Sequence, residues 1–231
     1  MTAIDFHTHI LPKADHGCDS EEMAASQLSL LKNAGVGIAV ATPHFYPHRH
    51  NITEFTEKIN TSLSSLLTIS PDKRPKIAVG AEVLICDGID KMENIEALCI
   101  RGTRTMLLEM PLDAVWSKGL FDTVSRLIKK DITVVLAHVD RYLPEHKEDI
   151  LYLLDIGAYA QINARAFKKL LLKRHLAPFI KSEQLAAFGS DIHGTSESFA
   201  DAFADLKKLK NSLLDEVTLR SEKLLEGALL F

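Results

Sequence analysis

The chain has 231 residues, 46% of them hydrophobic and 25% charged, which is ordinary for a globular protein able to bury a sizeable core. A net charge of −4 leaves no basic field for nucleic acid, and no apolar run approaches the roughly 18 residues needed to insert in a membrane. Three cysteines, Cys18, Cys86 and Cys99, form no C-x-x-C pair, and none has an arginine six positions later; a disulfide frame, a zinc knuckle and thiol-phosphatase chemistry are all excluded.

Seven short apolar runs follow in chain order: IDFH (4–7), GIAVATP (37–43), KIAVGAEVLI (76–85), TMLLEM (105–110), ITVVLAHV (132–139), AYAQIN (158–163) and LAAFGSD (185–191). Near-continuous Val, Ile, Leu and Ala without polar alternation predicts parallel strands covered on both faces. Alanine makes the last run the weakest strand signal. Amphipathic stretches lie between the runs. SEEMAASQLSLLKNAG (20–35) has Asp19 or Ser20 as its cap, acids in its first turn and Gly35 as its stop. Further helices are expected over 52–67, 118–130, 144–157, 198–209 and 215–231. Strands alternating with helices predict βαβ units in one α/β domain spanning 1–231, most simply a barrel. MTAIDFH lacks the basic and apolar regions of a signal peptide, so a reduced, cytoplasmic protein is expected.

Residues able to bind a cation close six of the seven runs: His7 and His9, then His44, Glu82, Glu109, His138, and Asp191 with His193. In a parallel barrel these ends form the reactive face. His7 and His9 stand in an i, i+2 relation, as do Asp191 and His193, and side chains two apart on a strand share a face. Mixed imidazole and carboxylate ligands suit Mn, Fe or Zn rather than an all-oxygen calcium cage. Four acids among several histidines exceed the needs of one ion and point to a multinuclear centre of the phosphoester-hydrolysing kind. His48, His50, His146 and His175 are read as solvated loop histidines.

HTH (7–9), TPH (42–44), GAE (80–82), the Glu109 strand, AHVDRY (137–142) and SDIHG (190–194) resemble, in order and spacing over essentially the whole chain, the polymerase and histidinol phosphatase (PHP) superfamily. Within it they are most similar to the bacterial manganese-dependent protein-tyrosine phosphatases of capsule and exopolysaccharide gene clusters. The resemblance implies a distorted (β/α)7 TIM-like barrel with three Mn²⁺ ions at the strand ends, Fe or Zn being the alternatives. It implies His7, His9, Glu109 and Asp191 around one ion. Glu82 and His138 would hold a second, with Glu109 bridging, and His44 and His193 would serve the third. Arg141 matches the arginine that contacts substrate phosphate, so Arg141, His44 and His193 are the implied catalytic residues. The implied reaction is attack of a metal-activated hydroxide on phosphotyrosine, the partner being the tail of a tyrosine kinase of polysaccharide export. A small phosphomonoester such as histidinol phosphate is the alternative substrate, and a turnover-impaired metal-binding protein the alternative function.

Two departures from that pattern stand out. Asp15-His16-Gly17 replaces Asp-Asp-Gly, so His16 takes the place of an acid tied to the third metal. The stretch after SDIHG, GTSESFAD, carries no arginine where relatives often place a second phosphate ligand; Arg49 and Arg165 are the candidates to replace it.

Overall fold

A computed structural model describes residues 2–112, 114–168, 170–206 and 213–231. Each of the seven apolar runs contains strand. β1 (Ala3–Thr8) leads into α1 (Glu21–Asn33), then β2 (Val36–Ala41), β3 (His44–Phe45) and α2 (Ile52–Leu66). β4 (Lys76–Val79), β5 (Glu82–Leu84), β6 (Thr105–Glu109), α3 (Lys118–Lys129), β7 (Thr133–Leu136) and α4 (Lys147–Asp155) follow. The chain continues through β8 (Tyr159–Asn163), α5 (Leu170–Ile180), β9 (Leu185–Gly189), α6 (Glu197–Leu206) and α7 (Leu213–Leu224). The run at 37–43 continues past Pro43 as β3, and the run at 76–85 breaks at Gly80-Ala81 into β4 and β5.

All pairings are parallel. They form two sheets, β1-β2-β4 and β3-β5-β6-β7-β8-β9, rather than one closed ladder. The two are stitched where the runs break: Gly80 N–H donates to Ala41 O (2.9 Å) and Glu82 N–H to Pro43 O (3.1 Å). A single parallel bridge, Thr8 to Ile192, relates β1 to the segment after β9.

Helix ends follow their capping residues. Ser20 Oγ accepts from Met23 N–H (3.2 Å) at the start of α1, and Asn51 and Ser117 do the same for α2 and α3. Two expectations need correction. The C-terminal helix stops at Leu224, and residue 231 instead pairs with β4: Ile77 N–H donates to Phe231 O (3.1 Å) and Phe231 N–H to Ile77 O (2.9 Å). Helix α5, which contains Pro178, falls where none was expected. The part of the 198–209 helix beyond 206 lies outside the described residues.

Burial alternates along the strands. Ala39, Ala41, Ile77, Val79, Met106, Leu108, Val134 and Leu136 join the large core under the helices. Val40, Ala78, Leu107 and Val135 join a second cluster with Ile4 and Phe6, into which Leu224 and Leu225 pack. Two residues beyond this inner set come Thr42, Gly80 and Glu109, and two further on come His44 and Glu82. The period of the strand therefore carries apolar filling below and ionisable groups at the end where the strands stop.

Candidate metal centre

β3 pairs His44 directly with Glu82 of β5, and β5 pairs Leu84 with Glu109 of β6. These registers place Glu82 at the middle of a cage of imidazoles. Its Oε2 lies 3.2 Å from His7 Nε2, 3.3 Å from His9 Nε2 and 2.8 Å from His44 Nδ1, and its Oε1 lies 2.9 Å from His138 Nε2. Asp191 Oδ1 stands 3.7 Å from His7 Nε2, 3.6 Å from His9 Nε2 and 3.5 Å from His193 Nδ1. Glu109 approaches from the side, with Oε1 3.6 Å from His138 Nε2. Among the described residues, three donor sets converge closely enough to share an ion: His7-His9-Glu82, His44-Glu82-Glu109 and His9-His44-His193.

The donor atoms face common points rather than one another. Glu82 Oε2 and His44 Nδ1 are only 2.8 Å apart, yet neither has a hydrogen-bond partner of acceptable angle, and both are buried. Buried polar atoms left unpaired are costly, and a cation between them removes that cost. The residues present fit a metal centre.

The electrostatics agree. Burial opposes charge on His9, but the Asp15 and Glu82 carboxylates facing its ring nitrogens outweigh it and lift its pKa to about 10. Burial likewise opposes charge on His138, while Glu109 and Glu82 raise it to about 9. Glu82, despite burial, is held well below the usual carboxylate range by His7, His138 and His44. This cage holds cations, and a metal arriving there displaces protons from the imidazoles. His193 behaves differently: burial, with the neighbouring His9, pushes it down to about 4, so it presents a neutral ring.

Two of these residues sit on left-handed backbone, His138 (φ 32°) and Asp191 (φ 54°). Non-glycine residues hold such angles only where their surroundings impose them. His138 backbone N–H donates to Gln161 Oε1 (2.6 Å), and the same oxygen lies 3.2 Å from His7 Nδ1, so one amide holds the His7 ring and the His138 backbone. Asn163, two residues on along β8, donates to Asp191 Oδ2 (3.3 Å). Asp5 Oδ1 accepts from Ser190 N–H (2.8 Å) and ties β1 to the loop after β9. Asp15 turns inward, with Oδ2 2.6 Å from His9 Nδ1 and accepting from His44 N–H (3.0 Å). Sequence reasoning passed over Gln161, Asn163 and Asp5. The available signal was a polar pair two apart in the run AYAQIN, and an acid two residues before His7.

Space also constrains the site. A Cβ on Gly17 would meet His9 Cβ at 2.2 Å, and one on Gly189 would meet His7 Cβ at 2.6 Å, so both backbones pass close against metal-facing histidines.

Above the cage opens a cleft of about 730 Å³ lined by His16, His44, Tyr46, Glu109, Arg141, Arg165, Asp191, His193 and Phe199, among others. Arg141, exposed, places Nη1 3.6 Å from Asp191 Oδ2. His16 is exposed at the rim; its ring lies parallel to that of His44 at 5.0 Å and 4.8 Å from that of His193, outside the three close donor sets. Tyr46 stacks on His44 at 5.2 Å. Of the histidines read as solvated loop residues, His48 is exposed, whereas the other three are half-buried, His175 within α5. His50 packs against Phe45 and Phe55, and His146 stacks on Trp116 at 4.1 Å. Aromatic contacts outcompete solvent at both. A second cleft of about 720 Å³, between the start of β9 and α7, contains none of these groups.

A family model for capsular polysaccharide synthesis, CpsB/CapC, matches residues 3–214. The chain belongs to the CpsB/CapC family. It is 27% identical over 203 residues to the tyrosine-protein phosphatase CpsB of Streptococcus pneumoniae, with 82% of each chain covered. It is 28% identical over 204 residues, with the same coverage, to the tyrosine-protein phosphatase CpsB of Streptococcus agalactiae. Its fold matches a solved structure of the metal-dependent tyrosine phosphatases YwqE from Bacillus subtilis and CpsB from Streptococcus pneumoniae. That match has a TM-score of 0.77 at 21% identity and covers 99% of this chain and 96% of the other. A probable 2-pyrone-4,6-dicarboxylic acid hydrolase from Acinetobacter baumannii is a more distant structural neighbour, at a TM-score of 0.51 and 13% identity, covering 98% of this chain and all of that one.

Proposed function

We propose that the chain is a metal-dependent protein-tyrosine phosphatase, a phosphoric monoester hydrolase built as one PHP domain. The observation that carries this reading is Glu82, a buried carboxylate surrounded by four imidazoles beneath a cleft that also presents Arg141. Metal ions bound here would polarise the phosphoryl oxygens and generate a nucleophile from water at neutral pH. Mn²⁺ in a multinuclear centre is the expected occupant, with Fe and Zn as alternatives. His7, His9, Glu82, Glu109, His138 and Asp191 would hold two ions. His44 and His193 would hold a third with His9, and His16 stands beside them at the rim. Glu82 belongs to two of the close donor sets and Glu109 to one of them, so either carboxylate would be placed to serve neighbouring ions.

The chain's own residues perform the remaining tasks. Arg141 aims its fork into the cleft, where a guanidinium can pair with two phosphate oxygens. Asp15 and Gln161 hold the His9 and His7 rings so that their Nε2 atoms face inward. Tyr46 and Phe199 offer aromatic wall to the phenyl ring of the substrate. A phenolate leaving group, of pKa about 10, departs with little help from a general acid. His16 and Arg141 both lie exposed at the rim, which suits phosphotyrosine on a protein tail better than an enclosed small ester. The tail of a tyrosine kinase of polysaccharide export, in the cytoplasm, is the substrate that family membership favours; no helix among the described residues is long and apolar enough to cross a membrane. The contacts across Thr8–Ile192, where Asp191 N–H donates to His7 O (2.9 Å), support a distorted (β/α)7 barrel with its seam between β1 and β9.

The test is hydrolysis by Mn²⁺-loaded protein of a tyrosine-phosphorylated tail peptide, histidinol phosphate and 4-nitrophenyl phosphate, with wild type and His138→Ala side by side. Preference for the peptide, abolished by the substitution, is the expected result. Turnover of histidinol phosphate in preference to the peptide would assign the site to small phosphomonoesters, and bound metal without turnover would leave a binding protein.

A further inference from the structure

We propose that Arg165, seated on the ring of Phe199, is a second phosphate-binding guanidinium of the cleft and replaces the arginine missing after SDIHG. The proposal deepens the phosphatase reading and rests on it for the identity of the anion as substrate phosphate. Arg165 lies in the turn Ala164–Lys168 that directly follows β8, at the same end of the strands as the metal cage. Its guanidinium carbon stands 4.6 Å from the centroid of the Phe199 ring, and both residues line the cleft that contains Arg141.

Three features separate Arg165 from a surface arginine resting on a convenient ring. It is half-buried in a cleft wall rather than spread over the outer face. No carboxylate among the described residues pairs with it, and the Phe199 face is its one close partner, so all five N–H donors remain available. A guanidinium held over a ring face is restrained without using an N–H donor, which leaves its fork for an oxyanion. Arg141 is less free, because Asp191 Oδ2 lies 3.6 Å from its Nη1. Phe199 belongs to α6, which begins just after SDIHG, so the stretch that lost an arginine contributes the platform for another.

The test is calorimetric titration of inorganic orthophosphate into Mn²⁺-loaded wild type, Arg165→Ala, Arg165→Lys and Phe199→Leu, after metal content and melting temperature have been matched. Arg165→Ala should weaken phosphate binding about tenfold, which is about 1.4 kcal/mol. Arg165→Lys should recover only part of it, since an ammonium lacks the fork, and Phe199→Leu should lose less than Arg165→Ala. Peptide hydrolysis by Arg165→Ala should show a raised KM with kcat less affected. Unchanged orthophosphate affinity in Arg165→Ala overturns the proposal. So does a loss seen only as a higher KM for phosphotyrosine peptides with acidic flanks, because Arg165 would then read a peptide carboxylate. Arg165-dependent phosphate binding in a protein that fails to hydrolyse phosphotyrosine would uphold the assignment and sink the activity reading instead.

Discussion

Replacing Asp15 by Asn tests whether the metal cage depends on a residue that stands outside the three close donor sets. The Asp15 carboxylate accepts three hydrogen bonds: Oδ2 from His9 Nδ1 (2.6 Å) and His44 N–H (3.0 Å), Oδ1 from Gly17 N–H (2.9 Å). Asn has one acceptor oxygen and one donor amide. If the oxygen stays on His9 and His44, the amide faces the Gly17 N–H; if it turns, the amide faces two donors. The better orientation still forfeits one bond and the charge behind the His9 contact, a loss of about 1.5–3 kcal/mol for a bond to a charged group. At about 1.4 kcal/mol per decade this corresponds to roughly 10–100-fold in metal affinity, the range usual for partners that orient a ligating imidazole. Equilibrium dialysis against graded free Mn²⁺, with elemental analysis of the protein, reads both quantities that matter. The midpoint should move by 10–100-fold while the number of ions at saturation stays that of wild type. An unmoved midpoint would refute the orienting role, and loss of one ion at saturation would make Asp15 itself a ligand.

Further outcomes follow from the same structure. Gly189→Ala drives a methyl to 2.6 Å from His7 Cβ and 2.7 Å from Gln161 Nε2; thermal melts should show a loss of about 1–3 kcal/mol, and Mn²⁺ titration a weaker midpoint. Chelation should destabilise the protein, and restoring Mn²⁺ at a hundred times its Kd should return about 2.7 kcal/mol, read as a rise of roughly 5–11 °C in Tm; an unchanged Tm would sink the metal centre. Away from the site, Asp90 receives two hydrogen bonds from Arg126, at 2.9 and 3.1 Å, which hold its carboxyl below the usual range. Because its folded pKa is depressed, the stabilisation is present above the unfolded value of about 3.9 and is lost as pH falls from there through the lower folded value. Arg126 is 40% exposed, so solvent screens the pair. Wild type should exceed Asp90→Asn by about 1 kcal/mol at pH 7, and denaturant melts in progressively more acid buffer should show that difference shrinking.

The strands were legible because a parallel strand buried on both faces must be apolar throughout, and GIAVATP or ITVVLAHV leaves no other reading of its length and composition. The metal-facing groups were legible because they end those runs. What escaped was whatever depends on partners distant in sequence. Gly227 (φ 83°) in EGALLF is a stop signal for the last helix, but nothing in that stretch shows that the chain will then pair with Ile77, whose strand lies far back in sequence. Gln161 reads as a polar residue in a strand until the fold sets it between His7 and His138. His50 and His146 read as loop residues until Phe45, Phe55 and Trp116 arrive to cover them. The centre of the cage shows the same limit: Glu82 and Glu109 each end a strand, and only the register His44 to Glu82 decides that Glu82 sits among the rings.

The exchange of an acid for His16 has its consequence at one corner of the site. His9, His44 and His193 form a donor set there without a carboxylate of its own. The acid retained at Asp15 does not make up the charge at that corner, because it is spent on His9 Nδ1 and the His44 backbone. An imidazole-rich site suits Zn and Fe, whereas oxygen ligands suit Mn. The cage around Glu82 and Asp191 retains its carboxylates and with them its hold on a hard cation. His16 stands outside the close donor sets, so its effect is expected at the rim beside His44 and His193 rather than on the donor sets built on Glu82.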